Sequence, residues 1–347
     1  MPYSLTLALA SGAVALALTP LARALAIRVG ALDHPGPRRI HATPTPRFGG
    51  LGIAGAVLLV AWAARVLPGP ARELDPRPLL GLTCAALPIL ALGMFDDRFG
   101  VGPWAKLAVQ ACAALTLTLF GFGVPLLTNP FGAAIVTGAW SVPLTVLWVL
   151  LLTNAINLID GLDGLAAGLV AIACSALWVT ARGHGDFYVM FIAALVLGAC
   201  GGFLWWNRPP ARVFMGDTGS QFLGLTLSAL SLLENRKGTA ALTLLLPLVA
   251  LGLPIADGTL AFVRRLVRGQ HVFRGDAGHI HHRLLDAGLS PRSTLLVLWA
   301  LSAVFGGAAI LLERLPHRGT VAVVGGLAVV LFAVLLAARY SARRRRD

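Results

Sequence analysis

Charged residues are scarce in this chain of 347 amino acids. Only 12% of the residues are charged and 15 are acidic, whereas 57% are hydrophobic, and the mean hydropathy is +0.80. A soluble domain of this length would carry about 25% charged residues. The composition therefore excludes an ordinary soluble domain and indicates an integral membrane protein.

Cysteine is also rare. The four cysteines, Cys84, Cys112, Cys174 and Cys200, fall within apolar stretches, and no two form a Cys-x-x-Cys pair. This spacing argues against a disulfide framework and against a cysteine-based zinc site. We expect all four to be small buried apolar residues.

The first apolar stretch, Tyr3 to Leu25, has no Lys or Arg before it, so it lacks the basic start of a cleaved signal peptide. We interpret it as the first of about eleven membrane spans. The predicted spans are 3–25, 50–66, 78–95, 104–121, 140–158, 164–181, 188–206, 219–234, 239–263, 294–312 and 319–338. The sequence thus predicts an all-α, polytopic integral membrane protein, with residues 1–347 forming a single membrane domain.

Basic residues set the predicted orientation. With the N-terminus outside, about 20 Lys and Arg residues fall on the inner side and about 8 on the outer side, as the positive-inside rule requires. The C-terminus is then cytoplasmic, and the basic tail 339–347 anchors the topology at anionic lipid rather than binding nucleic acid. The predicted cytoplasmic active-site loops are about 33–49, 96–104, 158–164, 207–218 and 264–293.

Every dense polar cluster falls on this inner face, and the outer loops are rich in Pro, Gly and apolar residues. A transporter needs polar groups near the midplane and access to both faces. One-sided polarity favours an enzyme at the cytoplasmic membrane surface. A lipid or sugar transporter stays as the alternative from a different class.

Acidic residues form two of these clusters. Asp96 and Asp97 are adjacent, so their carboxylates repel each other and need a compensating cation, for which Lys106 and a divalent ion are candidates. Asp217 lies in Gly216-Asp217-Thr218-Gly219-Ser220 at the start of a predicted helix. There the backbone N–H groups can bind phosphate and Asp217 can hold a metal ion, although a simple helix cap is an open alternative.

Four polar residues follow one another at intervals of three: Asn154, Asn157, Asp160 and Asp163. On a regular helix they would drift around the axis, but Gly161 and Gly164 allow the helix to end, so that the four side chains can converge. Carboxylate and carboxamide oxygens are ligands suited to Mg²⁺.

The inner loops also carry cationic clusters. His279, His281, His282 and Arg283 lie in the largest inner loop. They suit a diphosphate better than zinc, because no cysteine or close carboxylate completes a zinc site. Arg38, Arg39 and His41 lie in a proline-stiffened loop that can grip an anionic lipid head group or a nucleotide.

Five ordered motifs make the chain recognisable. They are Asp33…Pro35…Arg38-Arg39…His41…Pro44…Pro46, Asp96-Asp97, Asn154…Asn157…Asp160-Gly161…Asp163-Gly164-Leu165, Gly216-Asp217…Gly219-Ser220 and His279…His281-His282-Arg283. With these motifs the chain resembles the polyprenyl-phosphate N-acetylhexosamine-1-phosphate transferases (glycosyltransferase family 4 of the phospho-MurNAc-pentapeptide translocase type). Its His-Ile-His-His-Arg-Leu sequence resembles the UDP-GlcNAc:undecaprenyl-phosphate GlcNAc-1-phosphate transferase branch rather than the translocases.

The resemblance implies transfer of a HexNAc-1-phosphate, GlcNAc-1-phosphate first, from a UDP-sugar to polyprenyl phosphate in the bacterial plasma membrane, with release of UMP. Another UDP-HexNAc or UDP-MurNAc-pentapeptide as donor, a two-step route through an aspartyl phosphate, and a homodimer stay open. The CDP-alcohol phosphotransferases are disfavoured, because their Asp-Gly-x-x-Ala-Arg core is missing.

The resemblance also implies roles for single residues. Asp217 and Asn157 would bind Mg²⁺, with Mn²⁺ as a substitute ion, and Asp96 or Asp97 would act on the acceptor phosphate while Lys106 binds a phosphate. The substrate-binding residues that we predict are Asn154, Asp160, Asp163, His279, His281, His282, Arg283, Arg38, Arg39 and His41.

Overall fold

The computed structural model describes residues 2–35, 43–127, 135–235 and 280–312, with scattered positions between 252 and 333. In this part of the chain the secondary structure is almost entirely helical. The helices are α1 (Pro2–Val29), α2 (Gly49–Val66), α3 (Pro76–Phe99), α4 (Pro103–Leu119), α5 (Ser141–Ile159), α6 (Leu165–Gly183), α7 (Phe187–Asn207), α8 (Gly216–Asn235), α9 (Ile280–Asp286) and α10 (Pro291–Leu312).

Two pairs of two-residue strands and two 3₁₀ turns complete the described elements. Strand β1 (Leu32–Asp33) pairs antiparallel with β2 (Thr45–Pro46), and β3 (Leu126–Leu127) pairs antiparallel with β4 (Ile135–Val136). The 3₁₀ turns are Pro70–Glu73 and Gly138–Trp140. Helix starts follow local signals, since α3, α4 and α10 begin with proline and the carboxylates of Asp75 and Asp186 cap α3 and α7.

Seven helical segments among the described residues are long and apolar enough to cross a membrane. They are Tyr3–Val29, Gly49–Val66, Pro76–Phe99, Gly138–Ile159, Leu165–Gly183, Phe187–Asn207 and Pro291–Leu312. The prediction of an all-α polytopic membrane protein is therefore confirmed. Helices α4 and α8 also coincide with predicted spans, whereas spans 239–263 and 319–338 fall largely outside the described residues, so the count of eleven stays a prediction.

Close helix packing depends on small residues. A Cβ atom added to Gly198 of α7 would lie 1.9 Å from the carbonyl oxygen of Ala8 in α1, and one added to Gly202 would lie 2.1 Å from that of Gly12. The Ser11 hydroxyl donates to the carbonyl oxygen of Leu195 at 2.8 Å. Contacts of this kind stabilise helix pairs where lipid removes the hydrophobic driving force.

Helix α8 is enclosed by other helices. It packs against α2, α3 and α5, and most of its side chains are fully buried. The hydroxyls of Thr226 and Ser228 donate to carbonyl oxygens of their own helix, and the Trp148 indole N–H donates to the Ser231 hydroxyl at 2.7 Å. The bundle thus buries a helix whose first turn emerges at one end.

Every second loop between the helices α1 to α8 lies at the end of the bundle where α8 begins. The α1–α2, α3–α4, α5–α6 and α7–α8 loops all leave from the same end of the bundle, because successive helices run in opposite directions. These loops correspond to the predicted active-site loops 33–49, 96–104, 158–164 and 207–218. The end of α3 with Asp96 and Asp97 and the start of α8 with Asp217 lie at this end.

The cysteines only partly match expectation. Cys174 and Cys200 are buried, but Cys84 and Cys112 lie exposed on the outer surfaces of α3 and α4, so the prediction of burial is wrong for these two. In a membrane helix the surface that faces lipid is as apolar as the surface that faces protein, so sequence does not separate the two.

We expect Cys84→Ala and Cys112→Ala to keep full transferase activity and the wild-type melting temperature, because both side chains point away from the bundle. Transferase assays and thermal unfolding in detergent check this. Loss of activity in a folded variant would contradict it.

Candidate active site

The start of α8 is clamped by the start of α2. Gly49 and Gly50 donate their backbone N–H groups to the carbonyl oxygens of Phe214 and Met215, each at 2.9 Å. Gly216 has φ of +70°, and a Cβ atom there would lie 2.3 Å from the carbonyl oxygen of Arg47 and 2.4 Å from Oδ2 of Asp97. Only glycine fits this position, which fixes the backbone of the neighbouring Asp217.

Asp97 caps α8 from another helix. Its Oδ1 accepts the backbone N–H of Asp217 at 2.9 Å, and its Oδ2 accepts the backbone N–H of Thr218 at 3.1 Å and the Thr218 hydroxyl at 2.7 Å. The side chain is almost fully buried. The two N–H groups are thus already bonded, and the expectation that they bind phosphate is wrong at 217 and 218.

Asp217 is held by three donors on one oxygen. Its Oδ2 accepts from Nζ of Lys106 at 2.5 Å and, at 3.0 Å each, from Nδ2 of Asn157 and Nε2 of Gln221. Lys106 Nζ also lies 2.8 Å from Oδ2 of Asp96, whose Oδ1 accepts the backbone N–H of Val101 at 2.6 Å. Among the described residues, the nitrogen donors to this carboxylate thus all bond Oδ2.

The three carboxylates fit a divalent cation. One oxygen each from Asp96, Asp97 and Asp217 lies within 4.8 Å of the other two. Carboxylate oxygens and the carboxamide oxygen of Asn157 are hard ligands of the kind that Mg²⁺ takes, usually together with water and substrate phosphate. Lys106 balances part of the negative charge through Asp96 and Asp217.

Two connecting loops are tied together beside this cluster. Gly164, with φ of +75°, is the N-cap residue before α6 and donates its N–H to Oδ1 of Asn207 at 2.8 Å. Nδ2 of Asn207 donates to the carbonyl oxygen of Val213 at 2.8 Å. Oδ2 of Asp163 accepts the N–H of Ala211 at 2.8 Å. Sequence reasoning missed Asn207, although a carboxamide at the end of an apolar span was an available signal.

Of the four polar residues spaced by three, three converge. Asn157, Asp160 and Asp163 line one cavity, because α5 ends at Ile159 and the chain turns there. Asn154 lies one turn deeper in α5, where its Nδ2 donates to Oε1 of Gln110 at 2.7 Å and to the Leu150 carbonyl oxygen at 2.8 Å. The expected convergence of all four is therefore wrong for Asn154.

The carboxyl group of Asp160 lies near those of three other aspartates. Burial, together with the negative charges of Asp217, Asp97 and Asp163, raises the pKa of Asp160 well above its ordinary value. The negative charge of Asp160 is thus disfavoured at this position of the cavity wall.

The cavity has a volume of about 820 Å³. Its wall includes Asp97, Asn157, Asp160, Asp163, Asp217 and His282 from the predicted set of site residues. It also includes four residues outside that set, which lie in the predicted active-site loops: Asp33, Arg47, Asn207 and Arg292. The Arg47 guanidinium pairs with the Asp33 carboxylate. Cations and carboxylates thus share a pocket large enough for a substrate of nucleotide size.

Other predicted residues lie beside the cavity or outside the described residues. Asp96 and Lys106 do not line the cavity but contact Asp217 or its ion-pair partner. His281 is buried, and a Cβ atom on Gly161 would lie 2.7 Å from its Nε2, so His281 packs on the α5–α6 loop. Arg283 is half-buried on α9. Arg38, Arg39, His41 and His279 lie outside the described residues.

Fold and site together define a class: a multi-pass α-helical membrane protein with an acidic cluster and a large cavity at one end of its bundle. Residues 79–235 match the model of glycosyl transferase family 4. The chain belongs to this family, and its relatives bear out the predicted GlcNAc-1-phosphate transferase branch.

Three relatives illustrate the match. The chain is 38% identical over 303 residues to the probable undecaprenyl-phosphate N-acetylglucosaminyl 1-phosphate transferase of Bacillus subtilis, covering 86% of this chain and 82% of that protein. It is 37% identical over 336 residues to the decaprenyl-phosphate N-acetylglucosaminephosphotransferase of Mycobacterium tuberculosis (89% and 82% covered). It is 27% identical over 299 residues to the undecaprenyl-phosphate alpha-N-acetylglucosaminyl 1-phosphate transferase of Escherichia coli (84% and 79% covered).

Proposed function

We propose that this protein transfers GlcNAc-1-phosphate from UDP-GlcNAc to a polyprenyl phosphate and releases UMP, as the first step of a cell-envelope polysaccharide. The observation that carries the proposal is the cluster of Asp96, Asp97 and Asp217, with Lys106 and Asn157, beside a cavity in a member of this family. The names of the relatives support the same reaction.

The reaction exchanges one phosphorus–oxygen bond for another. An oxygen of the lipid phosphate bonds to the sugar-bearing phosphorus of the donor, and the bond from that phosphorus to the bridging oxygen breaks. UMP leaves with the bridging oxygen. Such a transfer needs mainly positioning of the two phosphates and neutralisation of their charge.

We assign the metal site to Asp217 and Asn157. When bound, Mg²⁺ supplies positive charge to the diphosphate oxygens of the donor. Lys106, which pairs with both Asp96 and Asp217, would bind a phosphate group of a substrate. Because both oxygens of Asp97 cap α8, we assign a positioning role to Asp97. We assign the contact with the acceptor phosphate to Asp96, whose Oδ2 pairs with Lys106, the residue that would bind a phosphate.

We further propose that the cavity opens to the cytoplasm of a bacterial plasma membrane, with the N-terminus outside. The excess of Lys and Arg on the loops of that side supports this orientation. UDP-sugars are water-soluble and a polyprenyl phosphate keeps its head group at the membrane surface, so a cavity at the helix ends suits both substrates.

The test is UMP release by the purified protein in detergent with Mg²⁺, polyprenyl phosphate and UDP-GlcNAc. We expect release that depends on the lipid and stops with EDTA. UDP-GalNAc and UDP-MurNAc-pentapeptide run in parallel. A preference for another donor would keep the reaction and change the sugar, whereas folded protein that releases no UMP from any donor would overturn the proposal in favour of a transporter.

A further inference from the structure

The polar site has a second layer one helical turn deeper in the bundle. The layer beside the cavity contains Lys106 of α4, Asn157 of α5 and Asp217 of α8. Each of these helices carries a carboxamide residue three or four positions away, and these three residues form the second layer, which we call the carboxamide layer: Gln110, Asn154 and Gln221. Gln110 and Gln221 are fully buried.

The carboxamide layer forms one continuous chain of hydrogen bonds that ends on Asp217. Nδ2 of Asn154 donates to Oε1 of Gln110 at 2.7 Å, and Nε2 of Gln110 donates to Oε1 of Gln221 at 3.3 Å. Nε2 of Gln221 then donates to Oδ2 of Asp217 at 3.0 Å. Helices α4, α5 and α8 are thereby joined through amide groups.

The direction of this chain follows from its last member. An ionised carboxylate only accepts hydrogen bonds, so Gln221 must turn its NH₂ group toward Asp217 and its oxygen toward Gln110. The same requirement then orients Gln110, which turns its oxygen toward Asn154. A buried chain of this kind strengthens each of its bonds and loses much of its value if one member is removed.

The chain of hydrogen bonds holds the Asp217 carboxylate without placing a further charge beside it. Lys106 also contacts Oδ2 of Asp217, but it is shared with Asp96 and would be drawn to a phosphate. Gln221 is held by a second hydrogen bond, from Nε2 of Gln110 to its oxygen, in which Lys106 takes no part. Gln221 thus helps to fix the orientation of the Asp217 carboxylate.

We propose that Gln221 and Gln110 are positioning residues, which act through Asp217 to set the affinity of the site for its divalent cation. This inference rests on the proposed function insofar as the cation serves the transfer reaction. Partners of this kind, bonded to a metal ligand, typically change metal affinity or activity by about 10- to 100-fold when they are replaced.

The test measures Mn²⁺ binding to the purified protein in detergent by electron paramagnetic resonance of the free ion, without substrates. We expect Gln221→Met, which keeps the side-chain length but removes both hydrogen bonds, to weaken Mn²⁺ binding by about 10-fold or more. Gln110→Met touches no atom of Asp217 and should weaken it less. Thr226→Val, a buried α8 variant whose hydroxyl bonds only its own helix, is the matched control and should bind as wild type.

Turnover measurements distinguish a positioning role of Gln221 from general damage to the fold. At saturating Mg²⁺, Gln221→Met should recover most of its UMP release, with the Mg²⁺ concentration for half-maximal rate raised by the same factor as for Mn²⁺. In the double variant the loss should not exceed that of Gln221→Met alone, because Gln110 acts only through Gln221.

Two results would overturn the inference: folded Gln221→Met with wild-type Mn²⁺ affinity, or losses that multiply in the double variant. A different result would contradict the proposed function. If the wild type bound Mn²⁺ but released no UMP from any donor, the reaction would be wrong, while a weaker Mn²⁺ affinity in Gln221→Met would still support the positioning role.

Discussion

Asp217→Asn should reduce UMP release by about 100-fold or more while the protein stays folded. Three donors converge on Oδ2 of Asp217, from Lys106, Asn157 and Gln221. An asparagine there must give its single oxygen to these donors, which turns its NH₂ group toward the place of Oδ1. A group that only donates hydrogen bonds does not bind a cation.

The same substitution should lower stability only slightly in the absence of metal. It relieves the repulsion of Asp217 with Asp96 and Asp97, but it also removes the charge that pairs with Lys106, which keeps Asp96 as a partner. We expect the melting temperature without Mg²⁺ to lie somewhat below that of the wild type while the protein stays folded. Mg²⁺ should raise the melting temperature of the wild type but not that of Asp217→Asn, because a ligand stabilises only a protein that binds it.

The measurements are UMP release and thermal unfolding with and without Mg²⁺. Asp286→Asn is the matched control, because it makes the same chemical change at an exposed carboxylate at the end of α9. It should match the wild type in both measurements. Wild-type turnover in Asp217→Asn would remove Asp217 from the mechanism.

The helices themselves could be predicted from sequence. The predicted span 188–206 corresponds to Phe187–Asn207, and 50–66 corresponds to Gly49–Val66. Unpaired backbone N–H and C=O groups are too costly in a bilayer, so a run of about 20 apolar residues there forms a helix. The spacing of the runs also predicted that the polar loops would share one end of the bundle.

The packing of side chains could not be predicted in the same way. Cys84 and Cys112 lie in apolar helices whose two faces have similar composition, so nothing local indicates which face meets lipid. Asn154 and Asn157 also look equivalent in sequence, yet one bonds Gln110 and the other Asp217. Their difference depends on where α5 ends and on which helices pack against it.

Asp97 shows the strongest effect of tertiary contact. Its neighbour Asp96 and the nearby Lys106 suggested a catalytic pair, and Lys106 does contact Asp96. The partner of Asp97 is the first turn of α8, which is 120 positions away in the chain. No local pattern indicates such a cap. The signal for Gln110 and Gln221 was available, because each lies four positions after a charged residue within an apolar stretch.

Gly216→Ala should nearly abolish activity, because the new Cβ atom would have to displace the backbone of Arg47 or the carboxylate of Asp97. Either movement shifts Asp217, whose backbone N–H bonds Asp97. A displacement of about 1 Å at a reacting group costs about 100-fold in rate. We therefore expect a loss of UMP release of this size, together with a lower melting temperature. Because the site itself is distorted, saturating Mg²⁺ should not restore the rate.

Gly185→Ala is a control variant that has the same left-handed backbone conformation as Gly216→Ala but no steric clash. Gly185 lies between α6 and α7 with φ of +68°, close to the +70° of Gly216, but a Cβ atom there meets nothing within 4 Å. Both variants bear the cost of about 1–2 kcal/mol for a left-handed alanine. Only Gly216→Ala also bears the clash, so Gly185→Ala should lower the melting temperature slightly and keep its activity. Equal activity in the two variants would mean that the contact between Gly216 and Asp97 does not position Asp217.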